Sequence, residues 1–512
     1  MLVKTFASAV HGIDATTITI ETEMSPGLSI DIVGLPDNAV KESTLRIDSA
    51  LRTVGYRMPG EKIVINMAPA DIRKEGSLYD LSLAMGILAC SNQISTERIK
   101  DYIILGELSL DGSIKPVKGA LPIAIQAVKE KFKGIIVPKD NAREAAVVNN
   151  LDVYGVTNIL QVIDIFNGNS ELEPVTVNTR EEFFENYEAV DLDFADVKGQ
   201  ENVKRALEIA AAGGHNVIMI GAPGSGKTML SKRIPSILPP FTLRESLETT
   251  KIHSVAGTLP KDSALMTTRP FRSPHHTISD VALVGGGTYP QPGEISLAHN
   301  GVLFLDELPE FKRQVLEVLR QPLEDREITI SRAKFSVNYP ASFMLVASMN
   351  PCPCGYYNHP EKQCVCSASQ VKKYLNRISG PLLDRIDIHV EVVPVPFKDL
   401  SITQLSESSA KIRKRVVKAR EIQQNRFADS PKIHCNAQMT SSKIRTFCQI
   451  DDSGMTLLKN AMEKLGLSAR AYDRILKVSR TIADLEGSEN IKPYHIAEAI
   501  QYRSLDRENW GM

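Results

Sequence analysis

The sequence has no excess of either charge, because its 60 lysine and arginine residues are balanced by 61 aspartate and glutamate residues. No global electrostatic field therefore favours nucleic acid, and any contact with DNA must come from local basic patches. The sequence also lacks internal repeats, a run of about 18 apolar residues that could cross a bilayer, and a signal-peptide pattern at its start. These absences predict a cytoplasmic protein that does not contact membranes.

The length of 512 residues predicts several domains, since one hydrophobic core rarely serves so long a chain. Residues 1–168 alternate short β-branched runs with helical patterns, which predicts a mixed α/β domain. Residues 169–190 are acidic and polar without an apolar period, as is typical of a linker. Residues 191–396 show apolar strands that end in polar or glycine-rich loops, a doubly wound α/β pattern. Residues 397–512 are largely helical, so the predicted fold class is α/β with a C-terminal helical lid.

A phosphate-binding loop follows the apolar strand pattern Val217–Ile220 and precedes a helical stretch, which is the context that a P-loop requires. The loop consists of Gly221, Ala222, Pro223, Gly224, Ser225, Gly226, Lys227 and Thr228. Its glycines let backbone N–H groups converge on phosphate oxygens, while Lys227 supplies positive charge at the β and γ phosphates. The hydroxyl of Thr228 is a candidate ligand for Mg²⁺. The sequence therefore predicts that ATP and Mg²⁺ bind here.

Two further strand patterns lead into polar residues of the kind that ATP hydrolysis needs. Gly301–Leu305 leads into Asp306 and Glu307, and Phe343–Ala347 is followed by Asn350. Asp306 is predicted to hold Mg²⁺ and Glu307 to polarise the attacking water, because adjacent carboxylates can divide these tasks. The side chain of Asn350 can hydrogen-bond the γ phosphate or that water. The three residues lie downstream of the P-loop in the same predicted sheet, so the joint signal is much stronger than each part.

Three strings of the sequence resemble magnesium chelatase-like AAA+ ATPases, and in particular the ComM/YifB family. They are Arg272–Ser279, Leu303–Glu310 and Ser379–Asp387. The resemblance implies a P-loop AAA+ core and a ring of subunits, taken to be a hexamer, in which Arg385 acts as an arginine finger on a neighbour's nucleotide. A surface ion pair of Arg385 with Asp384 or Asp387 is the open alternative.

The same resemblance implies further roles in the C-terminal half of the chain and next to the P-loop. Arg470 matches the sensor arginine of the helical lid, with Arg474 as the alternative. Gly199 and Gln200 lie where this superfamily packs adenine. The implied catalytic residues are Glu307, Asn350, Arg385 and Arg470.

The N-terminal domain carries two strings that resemble the proteolytic domain of Lon protease, Leu105–Gly112 and Gly134–Asn141. That reaction needs a serine activated by a lysine. Matching the flanking glycines places Leu78 at the serine position and Leu121 at the lysine position, and Ser77 and Lys118 are displaced from them. We therefore expect a degenerate Lon-like domain without the catalytic dyad, used for ring assembly or partner contact.

Four of the seven cysteines are bunched on one predicted loop, as Cys352, Cys354, Cys364 and Cys366. Four thiolates are enough for a tetrahedral zinc site, although two C-x-C pairs depart from the usual C-x-x-C spacing. His359 lies between the pairs and is a candidate to replace one sulfur. Four reduced thiols without metal are the open alternative. A zinc ion here would be structural and would brace the strand end at Asn350.

Two segments that interrupt the ATPase core are candidates for DNA contact, Arg272–Gly293 and Ile328–Tyr339. The second alternates in polarity and predicts a β-hairpin. Such hairpins point into the pore in related helicases, so the resemblance implies that Arg332 and Lys334 touch phosphates without reading sequence. A solvated hairpin tip is the open alternative. The basic run Lys411–Arg420 is a further candidate, for which a solvated helix face is the more common explanation.

The resemblance implies a motor that uses ATP hydrolysis to move along branched DNA, driving branch migration in natural transformation or recombination. Two alternatives stay open. One is the motor subunit of a metal chelatase, which couples ATP hydrolysis to magnesium insertion into a porphyrin and needs partner subunits. The other is a nucleotide-switched scaffold without useful turnover, against which the presence of Glu307 and Arg385 argues.

Overall fold

The structure is a computed structural model, and it describes residues 1–185, 192–260, 263–287, 290–332, 335–357, 359, 361–395, 406–430 and 433–503. These residues form an N-terminal α/β domain, a core with a parallel sheet, and a helical C-terminal region. This arrangement confirms the predicted α/β fold class. Among the described helices, none combines the length and the apolar character that crossing a bilayer requires.

The N-terminal domain is a mixed sheet with helices packed against it. Its strands are β1 Leu2–His11, β2 Asp14–Ser25, β3 Ile30–Val33, β4 Lys62–Ala68, β5 Tyr102–Ile104, β6 Glu107–Leu108, β7 Ile114–Lys115, β8 Gly134–Pro138 and β9 Asp152–Val156. Its helices are α1 Asn38–Thr53, α2 Asp80–Cys90, α3 Ala120–Lys129, α4 Lys139–Ala145, α5 Ile159–Asn167 and α6 Thr179–Glu185. The order of the described sheet is β3-β4-β2-β1-β5-β8-β9, antiparallel from β4 to β1 and parallel from β1 to β9.

The positions that matter for Lon-like proteolysis are occupied by core residues. Leu121 is fully buried, and Leu78 packs against the core of the N-terminal domain. The hydroxyl of Ser77 donates to Glu107. The side chain of Lys118 lies against Gly257, where an added Cβ would come within 2.8 Å of its Cε. Within the described residues, the serine and the lysine are therefore engaged by different partners.

The core contains a parallel sheet flanked by helices and two small hairpins. Its strands are β10 Val217–Ile220, β11 Phe271–Arg272, β12 Gly285–Gly286, β13 Gln291–Pro292, β14 Val302–Leu305, β15 Glu327–Arg332, β16 Phe335–Pro340, β17 Met344–Met349 and β18 Ile388–Glu391. Its helices are α7 Glu201–Gly213, α8 Lys227–Ile237, α9 Leu243–Ala256, α10 Asp280–Val284, α11 Glu294–Leu297, α12 Arg313–Val318, α13 Arg320–Asp325, α14 Ala368–Leu375 and α15 Gly380–Leu383. The sheet order is β11-β14-β17-β10-β18.

The register of the core sheet places the candidate functional residues at two opposite edges of the sheet. All its described pairs are parallel, with Ile220 beside Met349 and Leu305 beside Ala347. The loops that follow β10, β14 and β17 therefore meet at one edge, which we call the carboxyl edge. Val217 at the start of β10 pairs with Ile388. The residues before β18 consequently lie at the opposite edge, which we call the amino edge.

The helical C-terminal region packs against the core. Its described helices are α16 Ser409–Arg426, α17 Ser441–Phe447, α18 Asp452–Leu465, α19 Ala469–Glu486 and α20 Pro493–Gln501. α16 and α19 both contact α7, and their buried residues share one hydrophobic cluster with the strands of the core sheet. This shared cluster fixes the helical region to the core.

The N-terminal domain docks directly on the core. The N–H of Gly119, before α3, donates to the carbonyl of Ser254 in α9 at 3.1 Å. A small apolar cluster joins Leu121 of the domain to Leu265 of the core. In the predicted linker, residues 169–190, Val175 is packed on the N-terminal domain and donates to Val153 at 2.8 Å. Part of the predicted linker is thus packed on the N-terminal domain. Residues 186–190 lie outside the described part of the chain.

Candidate functional site

The P-loop connects β10 to α8 at the carboxyl edge. Gly224 and Gly226 have φ angles of 78° and 94°, a left-handed region that glycine enters without steric cost. Lys227 begins α8, and its Nζ donates to the carbonyl oxygens of Gly221 at 2.7 Å and Ala222 at 2.9 Å. Burial lowers the pKa of this lysine. The amine and the helix N-terminus lie on the same loop, an arrangement that favours an anion.

Asp306, directly after β14, lies between two hydroxyl groups. The hydroxyl of Thr228 donates to its Oδ2 at 2.7 Å, and the hydroxyl of the buried Ser348 donates to its Oδ1. The Oδ1 of Asn350 accepts from Lys227 at 3.2 Å. The structure therefore brings these predicted residues together, and the oxygens of Thr228 and Asp306 are suited to Mg²⁺. Sequence reasoning missed Ser348, whose one signal is a hydroxyl in a buried apolar strand.

Glu307 adopts a backbone conformation that is unusual for a residue with a side chain. Its φ and ψ are 53° and 50°, in the left-handed region, which costs on the order of 1 kcal/mol and is frequent at functional sites. Its half-exposed carboxylate lies 3.8 Å from Nδ1 of His276. The ring of His276 is fixed between His275, at 4.0 Å between centroids, and the edge of Phe311. Both histidines belong to the string Arg272–Ser279, which the sequence singled out as a family resemblance and not as a source of a partner for Glu307.

Arg385 lies at the amino edge, away from the P-loop of its own chain. The residue is only 8% exposed, and its side chain donates to the carbonyl of Pro381 at 2.7 Å and to the carboxylate of Glu324. The ion pair considered from sequence, with Asp384 or Asp387, is thus replaced by one with Glu324. Helices α13 and α15 hold this pair, because Glu324 lies in α13 and Pro381 in α15.

Asp387 organises the amino edge as a fully buried carboxylate. It accepts from the N–H of Asn216 at 2.9 Å and from Arg474 at 2.8 Å, and His215 Nδ1 lies 3.5 Å away. Burial raises the pKa of Asp387, but the charge of Arg474 and the contact with His215 outweigh it, so the pKa lies well below its usual range. The carboxylate stays charged and holds α19 on the sheet.

Arg470 and Arg474 lie one turn apart on α19 and differ in their surroundings. Arg474 is largely buried on Asp387, whereas the side chain of Arg470 is 58% exposed and lies 3.8 Å from Asp384. Both arginines are at the amino edge beside Arg385. None of these three is placed at the P-loop of the same chain, since that loop follows the opposite end of β10.

Comparison with known proteins follows the division of the chain described above. The family described as Magnesium chelatase, subunit ChlI, matches residues 193–400, Subunit ChlI of Mg-chelatase matches residues 20–141, and Magnesium chelatase, subunit ChlI C-terminal, matches residues 406–503. Competence protein ComM of Haemophilus influenzae is 45% identical over 98% of this chain and 97% of its own length. The chain belongs to the ComM/YifB family of magnesium chelatase-like AAA+ proteins.

Other relatives of this ComM/YifB family member differ in how much of the chain they cover. YifB of Escherichia coli K12 is 44% identical over 98% of this chain and 96% of its own length. The magnesium-chelatase 38 kDa subunit of Rhodobacter capsulatus is 26% identical over 31% of this chain and 50% of that subunit. The resemblance that the sequence motifs indicated is thereby confirmed over nearly the whole chain.

The four predicted cysteines of this ComM/YifB protein come together in space. Their sulfur atoms all lie within 4.8 Å of one another, with Cys352–Cys354 at 3.3 Å, Cys354–Cys364 at 3.5 Å and Cys352–Cys364 at 3.7 Å. The fourth sulfur belongs to Cys366. His359, considered as a substitute ligand, is not part of this group, and its Nδ1 accepts the N–H groups of Glu361 and Lys362 at 3.0 Å.

The segments considered for DNA contact are only partly described. β15 and β16 pair antiparallel, from Glu327 beside Pro340 to Arg332 beside Phe335, as expected for a hairpin. Arg332 ends β15, while Lys334 lies outside the described residues. The hydroxyl of Tyr339 donates to the carbonyl of Pro290 at 2.7 Å, which joins this hairpin to the other inserted segment.

Two remaining candidates are engaged within the chain. In the basic run of α16, Arg415 pairs with Glu208 and Glu407, and Arg420 donates to the carbonyl of Ala211 at 2.9 Å. Gln200, in the predicted adenine region, has a left-handed φ of 61°, and its side-chain amide donates to the carbonyl of Val393 after β18. The predicted adenine region thus lies beside the end of β18 at the carboxyl edge.

Proposed function

We propose that this chain is a ring-forming ATPase motor that acts on DNA. The observation that carries ATP hydrolysis is the convergence of the P-loop, Asp306 and Asn350 at the carboxyl edge. Membership of a magnesium chelatase-like AAA+ family supports it. Glu307 follows Asp306 at the same edge, so the group that acts on water lies next to the group that holds Mg²⁺.

The contacts of the P-loop indicate how its side chains change partners when ATP binds. Lys227 rests on two carbonyl oxygens, and an incoming phosphate would take this amine because charge-assisted hydrogen bonds are the stronger ones. Thr228 and Asp306 would hold Mg²⁺, which neutralises charge on the phosphates. Glu307 would orient the attacking water, and Nδ1 of His276 lies 3.8 Å from its carboxylate.

The arginines of the amino edge support a site shared between subunits. Arg385, Arg470 and Arg474 lie at the end of the sheet opposite the P-loop of their own chain. They can serve a nucleotide only if it belongs to a neighbour. A closed ring, which we propose to be a hexamer, repeats this contact at every interface. The arginine that reaches the phosphate would stabilise transition-state charge.

The proposal that the motor acts on DNA rests on the relatives and on the hairpin of β15 and β16. The relatives that match nearly the whole chain include a protein named for competence, ComM of Haemophilus influenzae. We propose that the motor moves branched DNA in transformation or recombination, with Arg332 and Lys334 contacting phosphates. A chelatase subunit remains the second candidate, favoured by the three matching family descriptions.

One experiment separates these functions. ATP hydrolysis by the purified protein is measured without DNA and with forked or three-stranded DNA, together with strand exchange, in wild type and Lys227→Ala. Stimulation by DNA and ATP-dependent strand movement, both lost in the variant, are expected. If DNA does not change the rate of ATP hydrolysis and no strand moves, the proposal that the motor acts on DNA is contradicted. If the protein hydrolyses no ATP at all, the proposed ATPase activity is contradicted.

We also infer that the four clustered cysteines bind Zn²⁺. A tetrahedron with Zn–S bonds of about 2.3 Å has sulfur atoms roughly 3.8 Å apart, close to the separations described above. These separations are far too long for disulfides, whose S–S bond is about 2.05 Å. Metal analysis of wild type and Cys364→Ser tests the site: about one zinc per chain that the variant loses supports it, and equal metal content contradicts it.

A further inference from the structure

The cysteine loop, which we define as residues 351–367, connects β17 to α14. Its described part, 351–357, 359 and 361–367, contains neither helix nor strand. Loops longer than about 12 residues without secondary structure are uncommon and are usually functional. At its far end, Ser367 caps α14 with its side chain. Local hydrogen bonds to His359 order part of the loop, and the four sulfur atoms bring its first and second cysteine pairs together.

The cysteine loop contacts the P-loop where Gly355 lies against Pro223. Gly355 has a φ of 85°, and a Cβ added there would lie 2.5 Å from Cδ and 2.7 Å from Cγ of Pro223. The N–H of Gly355 donates to the carbonyl of Cys352 at 3.0 Å. The turn that places Gly355 against the P-loop is therefore built on one cysteine, Cys352, and contains a second, Cys354.

The first residues of the P-loop share further surfaces with the cysteine loop. The N–H of Gly221 donates at 3.2 Å to the carbonyl of Met349, which ends β17. A cavity of about 90 Å³ lies between Gly221 and Ala222 on one side and Gly355 and Tyr357 on the other. Displacing the cysteine loop would remove one wall of the P-loop.

We propose that metal bound by the four cysteines clamps the P-loop in its phosphate-binding shape, so that metal occupancy sets the affinity for ATP. The inference rests on the proposed ATP and Zn²⁺ sites. Metal bound by both cysteine pairs adds free energy to the folded form of the loop, because only folding brings the four ligands together. Bare thiols make only weak hydrogen bonds and cannot replace it. The metal thus acts on the nucleotide through Gly355 and Pro223, without touching it.

The test measures metal content and ATP affinity on the same full-length samples. Affinity is read with a non-hydrolysable ATP analogue in wild type, chelator-treated wild type, Cys364→Ser and Gly355→Ala. The matched controls are Cys90→Ser, in the N-terminal domain, and Gly168→Ala, at a glycine with a similar left-handed φ of 78° where an added Cβ meets nothing within 4 Å. Circular dichroism and subunit assembly are recorded for every sample, so that global unfolding is separated from the local effect.

The clamp predicts a distinct pattern across these variants. Cys364→Ser and chelation remove the metal and raise the Kd for the analogue about tenfold, and zinc restores the chelated protein. Gly355→Ala keeps the metal yet weakens binding as well, because its Cβ displaces Pro223. Both controls bind as wild type does.

Each of three results would overturn one specific claim. Wild-type affinity in folded, metal-free protein and in Gly355→Ala overturns the clamp. Wild-type protein that neither contains nor takes up metal overturns the zinc site, and with it the clamp. Wild-type protein that holds metal but binds no nucleotide overturns the proposed ATPase instead. Measuring metal content and analogue affinity on the same samples distinguishes these three outcomes.

Discussion

The two edges of the core sheet hold their charged groups in different ways. At the carboxyl edge, Lys227 rests on carbonyl oxygens and Asp306 on hydroxyl groups, which are neutral partners that a ligand can replace. At the amino edge, Arg385 and Arg474 are committed to the carboxylates of Glu324 and Asp387. One edge keeps its charges available for a ligand, and the other uses them to fix its own shape.

This difference indicates two roles in one proposed site. A group that must bind and release nucleotide benefits from weak partners, because their replacement costs little. A group that must reach a neighbour's nucleotide benefits from being held in position before the subunits meet. We therefore expect substitutions at the carboxyl edge to affect binding, and substitutions at the amino edge to affect turnover or stability.

The largest effect is expected at the carboxyl edge, where one substitution removes both binding and turnover. Lys227→Ala should weaken ATP binding about a hundredfold, since charge-assisted contacts worth roughly 3 kcal/mol are lost. Hydrolysis should fall to background. Lys232→Ala, an exposed lysine of the same helix α8, is the control. Equal loss in both variants, measured by analogue binding, would contradict a specific role for Lys227.

At the amino edge, Arg385→Ala should leave ATP binding within about twofold while hydrolysis falls about a thousandfold, the size known for arginine fingers. The physical reason is that the guanidinium stabilises charge that develops only in the transition state. Binding and steady-state hydrolysis are measured in parallel, with the exposed Arg445→Ala as control. If Arg385→Ala loses ATP binding as strongly as ATP hydrolysis, the proposed difference between the two edges is contradicted.

Stability should respond most at Asp387. Asp387→Asn leaves Arg474 without its buried counter-charge, which should lower the free energy of unfolding by about 3 kcal/mol. Chemical denaturation measures this loss. Asp384→Asn, at a partly exposed carboxylate with a partner at 3.8 Å, should change it by less than about 1 kcal/mol. Similar values for both variants would show that the amino edge is not organised by Asp387.

The smallest effect concerns the contact between the N-terminal domain and the core. Burial raises the pKa of Glu144, which accepts from Ser254 at 3.3 Å, to about 7. Because this pKa is raised on folding, the contribution of the proton is complete below the unfolded pKa of about 4.5 and is lost as pH rises to about 7.

Stability against thermal unfolding should therefore fall by about 2 kcal/mol between pH 5 and pH 7 and level off above that range. Glu144→Gln should remove this part of the pH dependence. Glu130→Gln changes an exposed glutamate of the same domain and should retain it. Identical pH profiles for all three proteins would exclude Glu144 as the titrating group.

The carboxyl edge could be predicted from sequence to a large extent because its residues follow apolar strands directly. The strand Val217–Ile220 has the predicted bounds, while the two neighbouring strands begin one residue later than predicted and one of them extends to Met349. Strand ends depend on pairing with neighbours, which a single sequence pattern does not contain. Parallel pairing then makes the three loops meet.

Contacts between distant segments could not be predicted in the same way. His276 reaches Glu307 from a separate inserted segment, and Ser348 reaches Asp306 across the sheet. For Arg385, the alternative ion pair was considered with residues close in sequence, yet the arginine pairs with Glu324, which is 61 residues away. Such partners are set by the packing of helices and the register of strands, so local patterns carry no trace of them.

The most direct test of the shared site mixes two inactive proteins. Arg385→Ala lacks the amino-edge arginine, and Glu307→Gln lacks the carboxyl-edge acid. In a mixed ring, some interfaces combine an intact Glu307 with an intact Arg385 from the neighbour. The account predicts that ATP hydrolysis by the mixture clearly exceeds the sum of the separate variants. A mixture that assembles into rings but stays at that sum would contradict it.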